Sequence, residues 1–518
     1  MKPLELSDLS IEQKIGQMLL ARRPLDAEDK EGILELIRNR CLGGIHLDTV
    51  DHLIDDFPKI ADYPILFCSN MENGYLKSEA VTCPMAIGAT NLEEYAYEFG
   101  SISAIEAKAR GHNLVFGPIV DIAMNPLSAC VGPRAFGGDR ELVARMSVAA
   151  VKGYQDQGMI VTAKHFPGFG ESPVDSHIGM VELKADKKLL IKRDLYPYIQ
   201  CIKKADLSGV MVGHIMVPKI DPKYPATISR KIISLLREIG FGGLIMTDSF
   251  AMVGMTNKFG LEQCHGLAMA AGNDMVMTSY RIRAKTAYEY MLNAYRSGKV
   301  SAKQIDAAAA RVLAAQAKTL KPAQQAALTE KERITMVDLC RDSVVAIVKG
   351  KTKVSIPKDE KHLFVIQVGN QFVDPQTGKA ESESSSVADL EAFIKQNFPC
   401  SDIWKINDFP SGMGQLEHIL AASMNYDSIV MVAFSRTIPY SGSSRLTQRL
   451  LSFIDGVAHK LSAVVLMGNP YAAEDLPPVP RLIFGFEGKG SNQAALEALT
   501  GKIVPRGKLP VSIKFRKE

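Results

Sequence analysis

Eight short apolar runs, most of them separated by helix-patterned stretches, recur along roughly the first 320 residues, and this alternation limits the fold to two architectures. The runs are Gln17–Ala21, Gly43–Leu47, Pro64–Ser69, Leu114–Asp121, Ile160–His165, Gly209–Val217, Gly243–Asp248 and Asp274–Met277. Continuous apolar runs of this length suit parallel strands buried on both faces. Between them lie Glu31–Arg40, Asn91–Ala109, Glu141–Gln157 and Ser229–Glu238, which carry helical periodicity. Ser10 followed by Gln13 makes a capping box at the opening helix. The pattern fits a doubly wound sheet or an eightfold barrel, and the count of eight favours the (β/α)8 TIM barrel.

The polar residues point the same way. Asn70, Glu72, Asp121, Lys164, His165, His214 and Asp248 all fall at or just past the C-terminal ends of these runs. In a closed barrel those ends converge on one face, whereas in an open sheet only those at the switch point meet.

An alanine-rich helix, Ala302–Leu320, closes this half, and a polar connector begins at Lys321. A second α/β pattern follows, with strands expected at Ser343–Val348, His362–Val368, Ile429–Phe434, Ala463–Met467 and Arg481–Phe486. Helices are expected at Val387–Phe398, Gln415–Met424, Arg445–Ala458 and Asn492–Leu499. The 518 residues therefore divide into a catalytic barrel at 1–325, a linker and connecting helix at 326–340, and a smaller α/β sandwich domain at 341–518. The serine-rich stretches Glu381–Ser386 and Ser441–Ser444 are expected to be mobile loops.

A net charge of +4 without a dense basic block gives no reason to expect nucleic acid. The eight cysteines form no close pair, which fits free thiols rather than a disulfide framework or a zinc site. No segment approaches the ~20 apolar residues of a membrane span, and the N-terminus lacks the apolar core of a signal peptide. A cytoplasmic location is the expectation, and the oligomeric state stays open.

The densest chemistry lies in Lys164–His177. A strand delivers Lys164 and His165, and a turn-rich loop with Pro167, Gly168, Gly170 and Pro173 then carries Asp175 and His177. A Lys-His pair is not hidden in an apolar core without partners. It serves as a clamp for sugar hydroxyls or phosphate, or as a buried ion-pair partner. A carboxylate two residues from an imidazole orients it for acid/base work, or the two share a surface turn. Asp248 ends the run Gly-Leu-Ile-Met-Thr-Asp and is either a nucleophile or a turn former. Arg134, in a glycine-rich loop, binds hydroxyls or an anion, or is a surface arginine. Together these residues suit glycoside hydrolysis through a covalent intermediate, although the usual acid there is a second carboxylate.

Ala163-Lys-His-Phe-Pro-Gly resembles the signature of glycoside hydrolase family 3, and its spacing to Asp175-Ser-His177 resembles the β-N-acetylglucosaminidase branch. Ser10–Met18, Gly117–Asp121, Arg134–Gly137, Pro225–Ser229, Ile245–Asp248, Ala271–Met275 and Arg506–Ile513 are similar to further family segments, so the likeness spans almost the whole chain. The resemblance implies that Asp248 is the nucleophile and His177 the acid/base, held by Asp175. It implies that Arg134, Lys164 and His165 bind the sugar, with His214 lining the site and Asn70 in contact with substrate. No cofactor or metal is implied.

Two departures stand out. Asn70 occupies a position where the aminosugar branch usually has aspartate, and Phe169 stands where histidine is common. The expected activity is removal of a terminal β-linked N-acetylglucosamine from small glycosides, with retention. The alternatives are a β-glucosidase or β-xylosidase, an N-acetylglucosamine phosphorylase, and a sugar-binding protein without catalysis.

Overall fold

The computed structural model describes residues 2–47, 53–75, 82–321, 325, 327–368, 385–407, 415–435, 437 and 444–516. All eight expected barrel strands are present: β1 Leu19–Arg22, β2 Gly44–His46, β3 Leu66–Ser69, β4 Leu114–Val115, β5 Ile160–Phe166, β6 Gly209–Val212, β7 Leu244–Thr247 and β8 Val276–Met277. They pair in parallel in the order β8-β1-β2-β3-β4-β5-β6-β7. A parallel bridge between Met246 and Met275 joins the two ends of that order, which makes the sheet a barrel.

Alternate strand residues go to opposite sides, as the two-residue period requires. Leu20, Leu66, Leu114, Ile160, Met211, Leu244 and Met246 form one buried cluster that fills the barrel. The strand residues Ile45, Phe67 and Val276 pack outward against helices, as do Val115, Val161 and Val210. Val312 and Ala315 of the helix Ala302–Lys318 join the interior cluster. Gln316 of that helix donates to Gln17 Oε1 (2.8 Å) and to the Gly43 carbonyl (3.0 Å).

Two expected strands are shorter than their apolar runs. After Val115 the ladder breaks at Pro118, which has no N–H to give, and resumes as a single bridge from Ile119 to Lys164. The run Gly209–Val217 divides at Gly213-His214, and Ile215–Met216 pairs instead with Val181–Glu182 in a separate two-stranded sheet.

The helix Glu330–Asp342 leads out of the barrel. A capping box between Thr329 and Glu332 starts it. Met336 and Leu339 pack with Phe99 and Ile102 of the barrel helix Glu93–Ala109.

The second sheet comprises β9 Val345–Val348, β10 His362–Val368, β11 Asp402–Asn407, β12 Ser428–Ser435, β13 Leu461–Gly468 and β14 Arg481–Phe486, in the order β9-β14-β13-β12-β10-β11. Only the β9–β14 pair is antiparallel. Helices cover both faces. Phe364, Val430, Val465 and Ile483 meet Leu390, Ile394, Leu496 and Leu499 on one side. Leu363, Met431, Val464 and Phe484 join Leu450, Phe453 and Ile454 on the other. β11 is not foreseen from the sequence. As an edge strand bearing Asp402, Lys405 and Asn407 it lacks an apolar run, because charge on an edge keeps it from pairing with another chain.

The domains share buried contacts. Tyr471 Oη donates to the Ala123 carbonyl (2.7 Å), Gly138 N to the Pro510 carbonyl (2.9 Å), and Cys83 N to the Glu487 carbonyl (3.1 Å). All eight cysteines are free, and all but Cys400 are buried. Among the described residues no helix is long and apolar enough to cross a membrane. Of the two stretches expected to be mobile, Ser385 and Ser386 instead open the helix Ser385–Asn397, Ser444 is described, and the remainder lies outside the described residues.

Candidate active site

A cavity of about 910 Å³ opens at the carboxyl ends of the barrel strands. Its walls include Arg22 at the end of β1 and Arg23 just after it, His46 on β2, Asn70 and Glu72 after β3, Lys164 and His165 on β5, and Asp248 after β7. Arg134 comes from the short helical turn Gly132–Arg134, Phe169 and His177 from loops, and Thr437 and Glu487 from the second domain.

Glu72 anchors the floor. Arg134 grips it with two parallel bonds, Nε to Oε2 (3.0 Å) and Nη2 to Oε1 (2.8 Å). Lys164 Nζ contacts the same Oε1 and reaches Asn70 Oδ1 at 3.1 Å. The three side chains are 16%, 14% and 3% exposed, so three charges are held largely away from water. Burial pushes the Glu72 carboxyl up, but Arg134 and Lys164 outweigh it and hold it far below the usual carboxylate range. Burial also pushes the Lys164 ammonium down, and Glu72 restores only part of that. Lys164 is therefore both a cavity wall and a buried ion-pair partner.

His165 is fixed from behind. Its Nδ1–H donates to Asp121 Oδ2 (2.8 Å), its backbone N–H reaches the same oxygen (3.2 Å), and Asp121 Oδ1 takes the Phe169 N–H (3.1 Å). The Phe169 ring stacks on the imidazole at 4.6 Å between centroids. The apolar ring at position 169 thus supports His165 by packing.

Asp248 follows β7. It caps no helix; its Oδ1 accepts the Ser249 N–H (2.7 Å). Burial pushes its carboxyl up, but His165, His214, the Ser249 N–H and Lys164 together outweigh burial and hold it below the ordinary range. The group is a carboxylate at neutral pH.

The Asp175–His177 contact forms within one turn. Asp175 Oδ1 accepts both the His177 backbone N–H (2.9 Å) and its ring Nδ1–H (2.8 Å). Asp175 is 4% exposed and stands behind His177, which faces the cavity. Burial pushes the Asp175 carboxyl up, but the His177 N–H, the Cys130 thiol and the imidazole outweigh it, and it stays lowered.

His214 is not on the cavity wall. Its Nε2 donates to the Ser249 carbonyl (3.0 Å), and its Nδ1 is hydrogen-bonded with the Thr227 hydroxyl (2.7 Å). Burial lowers its pKa. It braces the segment after Asp248 and does not face a ligand. The sequence reading also left out Arg22, Arg23, His46, Tyr280, Thr437 and Glu487. Of these, only the arginines after the first apolar run and His46, at the end of the run Gly43–Leu47, carry a sequence signal.

A carboxylate, a carboxylate-backed imidazole and a cluster of cations share one barrel mouth, an inventory that suits an enzyme acting on glycosidic bonds. Residues 10–315 match the model of the glycosyl hydrolase family 3 N terminal domain, and the chain belongs to that family. It is 26% identical over 545 residues to a β-N-acetylglucosaminidase/β-glucosidase of Cellulomonas fimi, covering 98% of this chain and 94% of that protein. It superposes with a TM-score of 0.84 and 26% identity on a family 3 β-N-acetylglucosaminidase from Paenibacillus sp. str. FPU-7, covering 97% and 99% of the two chains. A β-glucoside phosphorylase, BglX, bound to 2FGlc shares the fold with a TM-score of 0.84 at 21% identity, covering 98% and 95%.

Proposed function

We propose that the enzyme is a retaining, exo-acting β-N-acetylglucosaminidase, with Asp248 as nucleophile, His177 as acid/base and Asp175 as the residue that orients His177. The observation that carries this reading is that an ionised Asp248 and an Asp175-backed His177 share one cavity above the Arg134–Glu72–Lys164 cluster. Asp248 attacks the anomeric carbon while the bond to the leaving oxygen breaks. With Nδ1 bonded to Asp175, His177 Nε2 delivers the proton that the leaving oxygen needs. Water then adds to the anomeric carbon, gives its proton back to Nε2, and releases Asp248. An imidazole can both give and take a proton near neutrality, which suits it to both steps.

Arg134, Lys164, His165 and Asn70 would hold the sugar hydroxyls. The preference for N-acetylglucosamine is supported by the Asp175-Ser-His177 loop and by the named activities of the Cellulomonas and Paenibacillus relatives. Among nitrophenyl β-glycosides the N-acetylglucosaminide should have the highest kcat/KM. A glucoside or xyloside ahead by about tenfold, roughly 1.4 kcal/mol of transition-state preference, refutes the branch. A 2-fluoro glycoside should label Asp248, and labelling of another carboxylate removes it from the nucleophile role. His177→Ala should keep far more of its rate on a dinitrophenyl glycoside than on an unactivated disaccharide. Equal losses remove His177 from the acid role.

Phosphorolysis is the second reading. A histidine in place of a carboxylate base carries no negative charge to repel phosphate, and Arg22 and Arg23 line the same cavity. Added phosphate should leave free sugar as the main product; accumulation of sugar 1-phosphate establishes the phosphorylase instead.

A further inference from the structure

We infer that Cys130 is a positioning residue for the acid/base pair, its thiol holding Asp175 in place and setting how strongly Asp175 pulls on His177. The inference rests on the proposed role of His177. Cys130 lies in the loop before the short helical turn Gly132–Arg134 and is 2% exposed. Its Sγ donates to Asp175 Oδ1 at 3.1 Å, the oxygen that also accepts both His177 N–H groups. Sγ in turn accepts the backbone N–H of Ser176, between the two members of the pair, at 3.3 Å. The Cys130 carbonyl takes Arg134 Nη1 at 2.6 Å. One residue thus ties the acid/base loop, through its side chain, to the Arg134–Glu72 floor, through its backbone.

Burial raises the thiol pKa to about 12, so Cys130 stays a donor across the working range. A third donor on Oδ1 spreads the negative charge that the imidazole feels. Without it Asp175 becomes a stronger acceptor, the imidazolium is favoured, and the limb of the pH–rate profile that reports His177 moves up. The loop also loses the tie that fixes its distance from the sugar floor. Cys130 Sγ, Asp175 and His177 have ligand atoms within 4.8 Å of one another, close enough for a soft metal ion. The chain of hydrogen bonds accounts for the arrangement without one.

The experiment uses the full-length enzyme and the aryl glycoside that the wild type cleaves best, together with an unactivated disaccharide. Cys130→Ala removes the donor, Cys130→Val removes it while filling the space, and Cys130→Ser restores it. The serine variant should keep kcat/KM within about threefold with its pH limb in place. The alanine or valine variant should lose about tenfold more on the disaccharide than on a dinitrophenyl glycoside, and its limb should move up by about half a unit. An unmoved limb with equal losses on both substrates overturns the inference, as does inactivation by a chelator that zinc reverses, which would make the cluster a metal centre. Should His177→Ala lose equally on both substrates, the acid/base assignment itself falls. Should it pass that test while Cys130→Ala leaves the limb unmoved, only the role of the thiol falls.

Discussion

Glu72→Gln removes one negative charge from between two cations, and its consequences follow from the geometry. Arg134 and Lys164 each reach Glu72 with at least one hydrogen-bonded contact. At an effective dielectric of about 20, a unit-charge pair near 3 Å is worth roughly 5 kcal/mol, so the two pairs supply about 10 kcal/mol before desolvation. Desolvating three charges cancels most of this. The net cost of leaving buried cations uncompensated is about 3–5 kcal/mol. Glutamine still offers one acceptor oxygen, which places the variant near the lower figure. A protein of this size loses roughly 2 °C per kcal/mol, so Tm should fall by about 6 °C.

The loss should also depend on pH. The folded-state pKa of Lys164 is already depressed by burial, and losing Glu72 lowers it further. A depressed amine makes folding less favourable while it is charged, and that cost fades as pH rises through its folded pKa. The Tm gap between variant and wild type should therefore be wider at pH 6 than at pH 9. With the two cations free to move, kcat/KM should fall by about 100-fold. Differential scanning calorimetry at the two pH values and initial rates on an aryl glycoside measure all three effects. A Tm within 2 °C of wild type at pH 6, or kcat/KM within about threefold, refutes the view of Glu72 as the anchor of the site.

Gly170 approaches the Ile122 carbonyl so closely that an added Cβ would stand 1.6 Å from its oxygen. Gly170→Ala should displace the loop that carries Asp175 and His177 and cost at least about 100-fold in aryl glycoside turnover; near-normal rates would show that the loop can yield. Glu106 is raised to about 7, mainly by burial, and its Oε2 has no partner. Because the folded pKa lies above the unfolded one, the stability that Glu106 contributes is present below about pH 4.3 and lost as pH rises through 7. Glu106→Gln should thus match the wild-type Tm near pH 4 and exceed it at pH 8, and a constant offset across that range would contradict the assignment. Tyr471→Phe leaves the buried Ala123 carbonyl without its cross-domain donor. Urea unfolding should show a loss of about 1–3 kcal/mol, and no change would mean that the carbonyl finds another partner.

Local features of the sequence carried much of the fold. Parallel barrel strands are buried on both faces, so each appears as an unbroken apolar run wherever it sits in the chain, and all eight were visible. Helix starts at Ser10, Ser229 and Ser301 depend on a side chain bonding a backbone N–H three residues away, and that too is written locally. Asp175 and His177 meet within one turn for the same reason. Tertiary structure alone decided the rest. Glu72 looks like any acidic residue at a strand end until the barrel closes and brings Arg134, 62 residues on, and Lys164 against it. His214 sits at a strand end as the residues lining the cavity do. Yet the break at Gly213 commits both its nitrogens to Thr227 and Ser249, and no sequence pattern records which way a side chain turns when a ladder is interrupted. Thr437 and Glu487 reach the cavity from the second domain. Periodicity and caps encode which residues are buried and where elements begin; which charges then face one another is fixed only when distant segments pack.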